Sequence, residues 1–301
     1  MTTASRPANA GWSMELDFAI ETARAAAAEI ARFYESGSAA IRAKGDDSPV
    51  TDADLASDRI IRERIGRAFP ADALLTEEGA DDPSRLSVRR CWIADPLDGT
   101  QDFINRTGQF DVFLALAEDG APVVGVACHP PTGLVLAAAA GGGAWLDDGA
   151  GRQPLRTQPA IGETPRLNTN RYHTRPDDWP LLRRIALRAN LVPPSEPHPF
   201  HPRAFFPVNG NPPAYEAHLG IGPARPDESI GGEWDLAAPD IILAEAGGLL
   251  TDLQGQRLRY NQPDPAIRRG LIATASPELT ECPVVAYALE AAPANVAIDP
   301  D

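Results

Sequence analysis

Apolar residues between positions 14 and 41 return every three to four places. Phe18, Ala19, Ala23, Ala26, Ile30 and Phe33 share one face of an Ala-rich helix that stops near Gly37 or at Lys44-Gly45. A second helix is predicted over 54–69 from Leu55, Ile61, Ile65 and Phe69, with Pro70 as its stop. After Ala73 the helical period gives way to short apolar runs at 74–75, 91–94, 111–117, 123–127, 134–140 and 144–146. Asp119-Gly120 and the turn segments 130–133 and 141–143 separate several of them. This pattern predicts a largely antiparallel sheet packed on the two helices.

Composition shifts over 151–165, which sets an expected boundary. Residues 1–12 read as a flexible tail, 13–155 as an N-terminal α+β half, and 156–301 as a C-terminal α/β half. The second half is expected to hold a strand at 167–170, helices at 179–188 and 235–246, strands at 249–252 and 270–274, and a closing helix at 278–291. Ten of the thirty prolines fall between 193 and 226, which forbids long regular elements and predicts a loop excursion. Helices alternating with sheets imply a layered α/β architecture.

Charge changes the range of partners. With 27 Lys+Arg against 42 Asp+Glu the chain carries a formal net charge of −15, which disfavours nucleic-acid polymers and anionic membranes. Cys91, Cys128 and Cys282 are odd in number and lie far apart, against a disulfide framework or a structural zinc site and in keeping with a reducing cytoplasm. The N-terminal stretch lacks the apolar core of a signal peptide, and no run approaches a membrane span. A cytoplasmic protein is the expectation.

The densest chemistry lies at Trp92-Ile93-Ala94-Asp95-Pro96-Leu97-Asp98-Gly99-Thr100. An apolar strand ends in one carboxylate, and a second follows three residues later across a proline. That spacing lets Asp95 and Asp98 share one cation or bridge two, with the Leu97 carbonyl as a further oxygen ligand, a donor set suited to Mg²⁺. The amides of Gly99 and Thr100 at a helix start offer a place for an anion. Each fragment alone has a plainer reading, an Asx-turn at Asp95 and an N-cap at Thr100. Glu77-Glu78 stand at a strand end, and Asp235 lies at a helix start, where the plain reading is again an N-cap.

Taken together, Leu75-Thr76-Glu77-Glu78, the 92–100 segment, and Trp234-Asp235-Leu236-Ala237-Ala238 with Glu245-Ala246-Gly247-Gly248 resemble the signature segments of the inositol monophosphatase superfamily. The resemblance runs from about residue 14 to 275 and is weakest over 151–230. It implies a layered αβαβα sandwich and a Mg²⁺-dependent, lithium-sensitive phosphatase. Lys44-Gly45-Asp46-Asp47-Ser48-Pro49-Val50-Thr51-Asp52-Ala53-Asp54, Leu97 within the 95–100 segment, and Phe103-Ile104 with Arg106, Gly108 and Phe110 are similar to the CysQ-type 3′(2′),5′-bisphosphate nucleotidase branch. The resemblance implies that Glu77, Asp95 and the Leu97 carbonyl hold one Mg²⁺ and that Asp95, Asp98 and Asp235 hold a second. Thr100, supported by Asp54, would orient the attacking water, with Glu77 sharing that task. A third, weaker Mg²⁺ near Glu77 and Asp54 and a homodimer are features of relatives.

The second half departs from that branch. Its Gly-Ser-x-x-Leu-Lys segment has no counterpart over 200–222, and its Ser-Arg-Ser-His is replaced by Asn170-Arg171-Tyr172-His173. Lys44, Arg171, His173 and Arg203, with Gly99 and Thr100, are the candidate substrate contacts, Arg because it pairs bidentately with phosphate. His198 and His201 form a candidate metal pair that reads more simply as ordinary loop histidines. Phe205, Phe206 and Tyr215 read first as core and second as a platform for a base or sugar. Three functions follow from the sequence. The leading one is hydrolysis of a small phosphate ester such as adenosine 3′,5′-bisphosphate. The others are an inositol, sugar or nucleoside 5′-monophosphatase, and a non-catalytic metal- or phosphate-binding protein.

Overall fold

In the computed structural model, residues 11–45, 48–157, 164–169, 179–188, 191–193, 201–206, 215–220 and 229–276 are described. Helix α1 (Ser13–Ser36) buries Leu16, Ala19, Ile20, Ala23, Ala26, Ala27 and Ile30 and ends where Gly37 turns left-handed at φ 63°. Trp12, just before it, packs against the same apolar cluster. A hairpin absent from the sequence reading, β1 (Ile41–Ala43) with β2 (Pro49–Thr51), leads into α2 (Asp52–Ala68). Thr51 caps α2, its hydroxyl accepting from the Ala53 amide, so the helix starts two residues before the expected position.

β3 (Ala73–Thr76), β4 (Arg90–Asp98), β5 (Asp111–Glu118), β6 (Ala121–His129), β7 (Leu134–Ala139), β8 (Gly143–Asp147) and β9 (Arg152–Leu155) form one seven-stranded sheet in chain order. Its pairs are antiparallel apart from β3 with β4. The short helix α3 (Thr100–Ile104) follows β4 directly. The central strands read as unbroken apolar runs because both faces are covered. Phe113, Ala115 and Ala117 of β5 face one core, and Val112, Leu114 and Leu116 face the other, with α1 and α2.

The remaining strands make a four-stranded sheet. β10 (Leu167–Asn168), α4 (Trp179–Arg188), β11 (Ala217–Gly220), α5 (Glu233–Ala246), β12 (Leu249–Asp252) and β13 (Leu271–Thr274) complete the chain order, with strand order β10-β11-β13-β12. β11 lies inside the proline-rich 193–226 stretch, so that stretch supplies an inner strand of the second sheet as well as loop. Alternation along β13 sends Leu271 and Ala273 into the core shared with α5, and Ile272 into a third cluster with Leu182 and Ile185 of α4. The layers are therefore α1/α2, large sheet, α5, small sheet, α4: the expected αβαβα sandwich. Gly125 on β6 lets α5 approach, since a Cβ there would stand 2.8 Å from the Ala238 carbonyl oxygen. The closing helix expected at 278–291 lies outside the described residues.

Candidate active site

A strand of period two sends residues 95 and 98 to opposite faces. β4 avoids this with a bulge. Asp95 pairs with Phe113 and Asp98 with Asp111, so β4 carries one residue more than β5 between the two pairs, and the Pro96-Leu97 step re-aims the chain. Asp95 also makes the turn that its plain reading anticipates, accepting from the Leu97 amide at 2.9 Å. Gly99, at φ 87°, is the N-cap of α3, and Thr100 is its first residue.

Asp235 arrives from the other half of the chain. It is the third residue of α5 rather than its N-cap, and its Oδ2 accepts from the Gly232 amide at 2.7 Å. Ligand atoms of Asp95, Asp98 and Asp235 all lie within 4.8 Å of one another. Three unit charges that close repel by about 3 kcal/mol or more per pair at an effective dielectric near 20. Burial, then the charges of Glu77, Asp235 and Asp98, holds the Asp95 carboxyl well above the usual carboxylate range. Burial, followed by Asp235, Asp111 and Glu77, does the same to Asp98. Burial also raises Glu77 and Asp235. A divalent cation held by Asp95, Asp98 and Asp235 would offset this cost, and hard oxygen donors of this kind fit Mg²⁺.

Glu77 follows β3, its amide donating to the Ala94 carbonyl at 3.2 Å, which sets it beside the end of β4. Lys44 binds Glu77 Oε1 at 2.6 Å and Glu78 Oε1 at 2.7 Å. Burial alone would lower the Lys44 ammonium, but the two glutamates outweigh it and hold it above the ordinary lysine value. Burial pushes the Glu78 carboxyl up to about 7. The Thr100 hydroxyl donates to Asp54 Oδ1 at 2.8 Å, and Asp54 Oδ2 accepts from the Thr51 amide at 2.8 Å and the Thr51 hydroxyl at 2.5 Å. Asp54 is fully buried, so this support is fixed by the α2 cap itself.

A cavity of about 660 Å³ opens over these groups. It is lined by Glu77, Asp95, Leu97, Asp98, Gly99, Thr100 and Asp235 from the sequence-predicted set, and by His218 and Asp102 among others. Of the candidate substrate contacts, Gly99 and Thr100 line it, whereas Lys44 is spent on the two glutamates. Arg203 ion-pairs with Asp111. Arg171, His173 and His198 lie outside the described residues. His201 is not the ordinary loop histidine expected: it is 4% exposed and meets Asp111 and Asp98. Phe205, Phe206 and Tyr215 are core, at 2% exposure or less.

Sequence reasoning missed Asp111 and His218. A lone acid opening an apolar run was the signal for Asp111, but its partner across the sheet was not legible. His218 sits on β11, its Nδ1 2.9 Å from the Asn168 side-chain amide, in a strand that the proline count concealed.

Comparison with known proteins places this geometry. The chain is 34% identical over 258 residues to a 3′(2′),5′-bisphosphate nucleotidase CysQ of Aggregatibacter actinomycetemcomitans, covering 84% of this chain and 90% of that protein. It is 33% identical over 215 residues to a histidinol-phosphatase of Mycobacterium tuberculosis, covering 71% and 78%. The fold matches the crystal structure of CysQ from Bacteroides thetaiotaomicron with a TM-score of 0.67 at 23% identity, over 87% of this chain and 97% of that one. The model of the inositol monophosphatase family matches residues 12–179 and 228–288, the two stretches that carry the three clustered carboxylates and Glu77. With the family model matched over most of the chain and the fold shared with its members, this chain belongs to the inositol monophosphatase family and is a phosphatase.

Proposed function

We propose that this phosphatase hydrolyses 3′(2′),5′-bisphosphate nucleotides such as adenosine 3′,5′-bisphosphate, using two Mg²⁺. The observation that carries the metal chemistry is the convergence of Asp95, Asp98 and Asp235 from the two halves of the chain. Glu77, Asp95 and the Leu97 carbonyl would hold one ion, and Asp95, Asp98 and Asp235 the other. Bound there, Mg²⁺ supplies Lewis-acid stabilisation of the phosphoryl oxygens. A third ion near Glu77 would compete with the Lys44 ammonium, which already stands 2.6 Å from that carboxylate.

The chain's own residues position the reactants. The Thr100 hydroxyl donates its hydrogen bond to Asp54, so its oxygen lone pairs are free to accept from the attacking water and hold it near the phosphorus. Gly99 turns the chain into α3 at φ 87°, where a Cβ would stand 2.8 Å from the Gln109 carbonyl oxygen, so the residue that carries this candidate phosphate-binding amide has to be glycine. Glu77 shares the orientation of the water.

The bisphosphate preference is supported by the similarity to CysQ and by the 44–54 segment. One observation favours a second reading, a phosphate ester of a cationic alcohol such as histidinol phosphate. Among the described residues no Lys or Arg lines the cavity, and Asp102 does. The test is phosphate release with Mg²⁺ from adenosine 3′,5′-bisphosphate, AMP, inositol 1-phosphate and histidinol phosphate. The proposal expects kcat/KM for the bisphosphate to lead by tenfold or more. A ratio near one removes the nucleotide preference, and full activity of Asp98→Asn removes the two-metal chemistry.

A further inference from the structure

A second set of ligand atoms converges beside the first. The β4 bulge sets Asp98 opposite Asp111, and His201, the residue leading into the turn Pro202–Phe205, comes over both. One ligand atom from each of Asp98, Asp111 and His201 lies within 4.8 Å of the other two. His201 Nδ1 is 2.9 Å from Asp111 Oδ2 and 3.5 Å from Asp98 Oδ2. His201 is 4% exposed and Asp111 fully buried. Even so, among the described residues neither ring nitrogen of His201, nor Asp111 Oδ2, has a well-aligned hydrogen-bond partner, and Nδ1 and Oδ2 meet only as a close ion-pair contact. A buried polar atom left so costs about 1–3 kcal/mol, and here Nδ1 and Oδ2 face each other. The other Asp111 oxygen is held by Arg203, which fixes the carboxylate and leaves Oδ2 toward the ring. Ligand carboxylates are commonly held this way by an outer partner.

We propose that Asp98, Asp111 and His201 form a further divalent-cation site for an ion that accepts imidazole, such as Zn²⁺ or Co²⁺, with Asp98 shared between this site and the Asp95/Asp98/Asp235 cluster. Ligands about 2.0–2.1 Å from a tetrahedral ion stand roughly 3.3 Å apart, close to the two separations seen. One nitrogen with two carboxylates suits Zn²⁺ and its neighbours, whereas Mg²⁺ takes oxygen alone. The inference stands on the His201 geometry and not on the identity of the phosphate ester.

The test uses the full-length, metal-stripped protein. Long-range ¹H–¹⁵N spectra of the histidine rings are recorded with and without Zn²⁺, and Co²⁺ is titrated by visible absorption. The expected result is a Zn²⁺-induced shift of the His201 Nδ1 resonance, absent with Mg²⁺. His201→Gln should bind one Co²⁺ fewer, and Asp111→Asn should bind that ion at least tenfold more weakly. The ring spectra need no substitution, so a variant that fails to fold does not remove the test. An unmoved His201 resonance at saturating Zn²⁺ overturns the proposal, as a plain imidazole–carboxylate contact requires. Asp235→Asn separates the two readings, because it removes a ligand of the phosphatase cluster and none of this site. If that variant keeps full Mg²⁺-dependent hydrolysis while the His201 shift persists, the two-metal reading fails and this one stands.

Discussion

Thr100→Val removes one hydroxyl and keeps the side-chain shape. The lost bond is the 2.8 Å donation to Asp54 Oδ1, a hydrogen bond to a charged acceptor, worth about 1.5–3 kcal/mol. If the bond serves mainly to orient the hydroxyl toward water, that energy appears in the barrier, and kcat falls roughly ten- to 150-fold at 1.36 kcal/mol per decade. KM should move much less, because the hydroxyl acts on the nucleophile and not on the ester. Asp54 Oδ2 keeps both bonds from Thr51, so the α2 cap survives, while the buried Oδ1 loses its donor and urea unfolding should show a loss of about 1–3 kcal/mol. Burial already raises the Asp54 carboxyl, and Thr100 is one of the groups that oppose this. Without it the carboxyl rises further, and any acid limb of kcat that Asp54 sets should move to higher pH. The assay is steady-state phosphate release at saturating Mg²⁺ for wild type, Thr100→Val, Asp54→Asn and the double variant. Because the two side chains act as one unit, the double variant should lose little more than the worse single one. A kcat within twofold of wild type for Thr100→Val, or fully multiplicative losses, refutes the reasoning.

Other consequences can be checked independently. Asp95 and Asp98 have folded-state carboxyls raised above their unfolded values, so the folded chain binds more protons and metal-free stability falls as pH rises from about 4 through those raised values. Glu78 and Glu233, both pushed to about 7, and Asp240, pushed to about 6 by burial, act in the same direction, while saturating Mg²⁺ should cancel only the cluster's share. The readout is Tm against pH in chelator and in Mg²⁺, and parallel curves would count against the cluster as the metal site. Gly125→Val forces a side chain into the contact between β6 and α5 and is expected to cost about 1–3 kcal/mol in urea unfolding while weakening Mg²⁺ binding through Asp235; an unchanged midpoint would show that the contact has slack. Arg203→Ala leaves the buried Asp111, held at about 2 chiefly by Arg203 against the effect of burial, without its cation. A loss of about 3–5 kcal/mol is expected, partly restored by adding Asp111→Asn. Equal stability of the single and double variants would contradict that pairing.

The first half of the fold was legible because its periods are strong. Ala19, Ala23, Ala26 and Ile30 mark the buried face of α1, and residues 111–117 and 134–139 are buried on both faces of the large sheet. The proline-rich stretch misled because composition reports what a segment forbids on average. Four residues, Ala217–Gly220, were enough to make a strand there. β1 and β2 escaped notice for a related reason, being three residues each and mostly exposed in β1.

What the sequence determined by itself was the make-up of the carboxylate cluster. Asp95, Leu97, Asp98, Gly99 and Thr100 are neighbours along the chain, so their spacing carries their geometry, and the Glu77 and Asp235 segments are recognisable one by one. The tertiary structure alone decided what those groups face. It paired Lys44 with Glu77 and Glu78, brought His218 to the cavity, and used Asp111 to hold Arg203 from 92 residues away. Local pattern reports which face of an element is buried. It carries no record of which distant side chain that burial will bring against it, and for a buried charge that partner settles whether it serves as a ligand, a counter-ion or a contact for substrate.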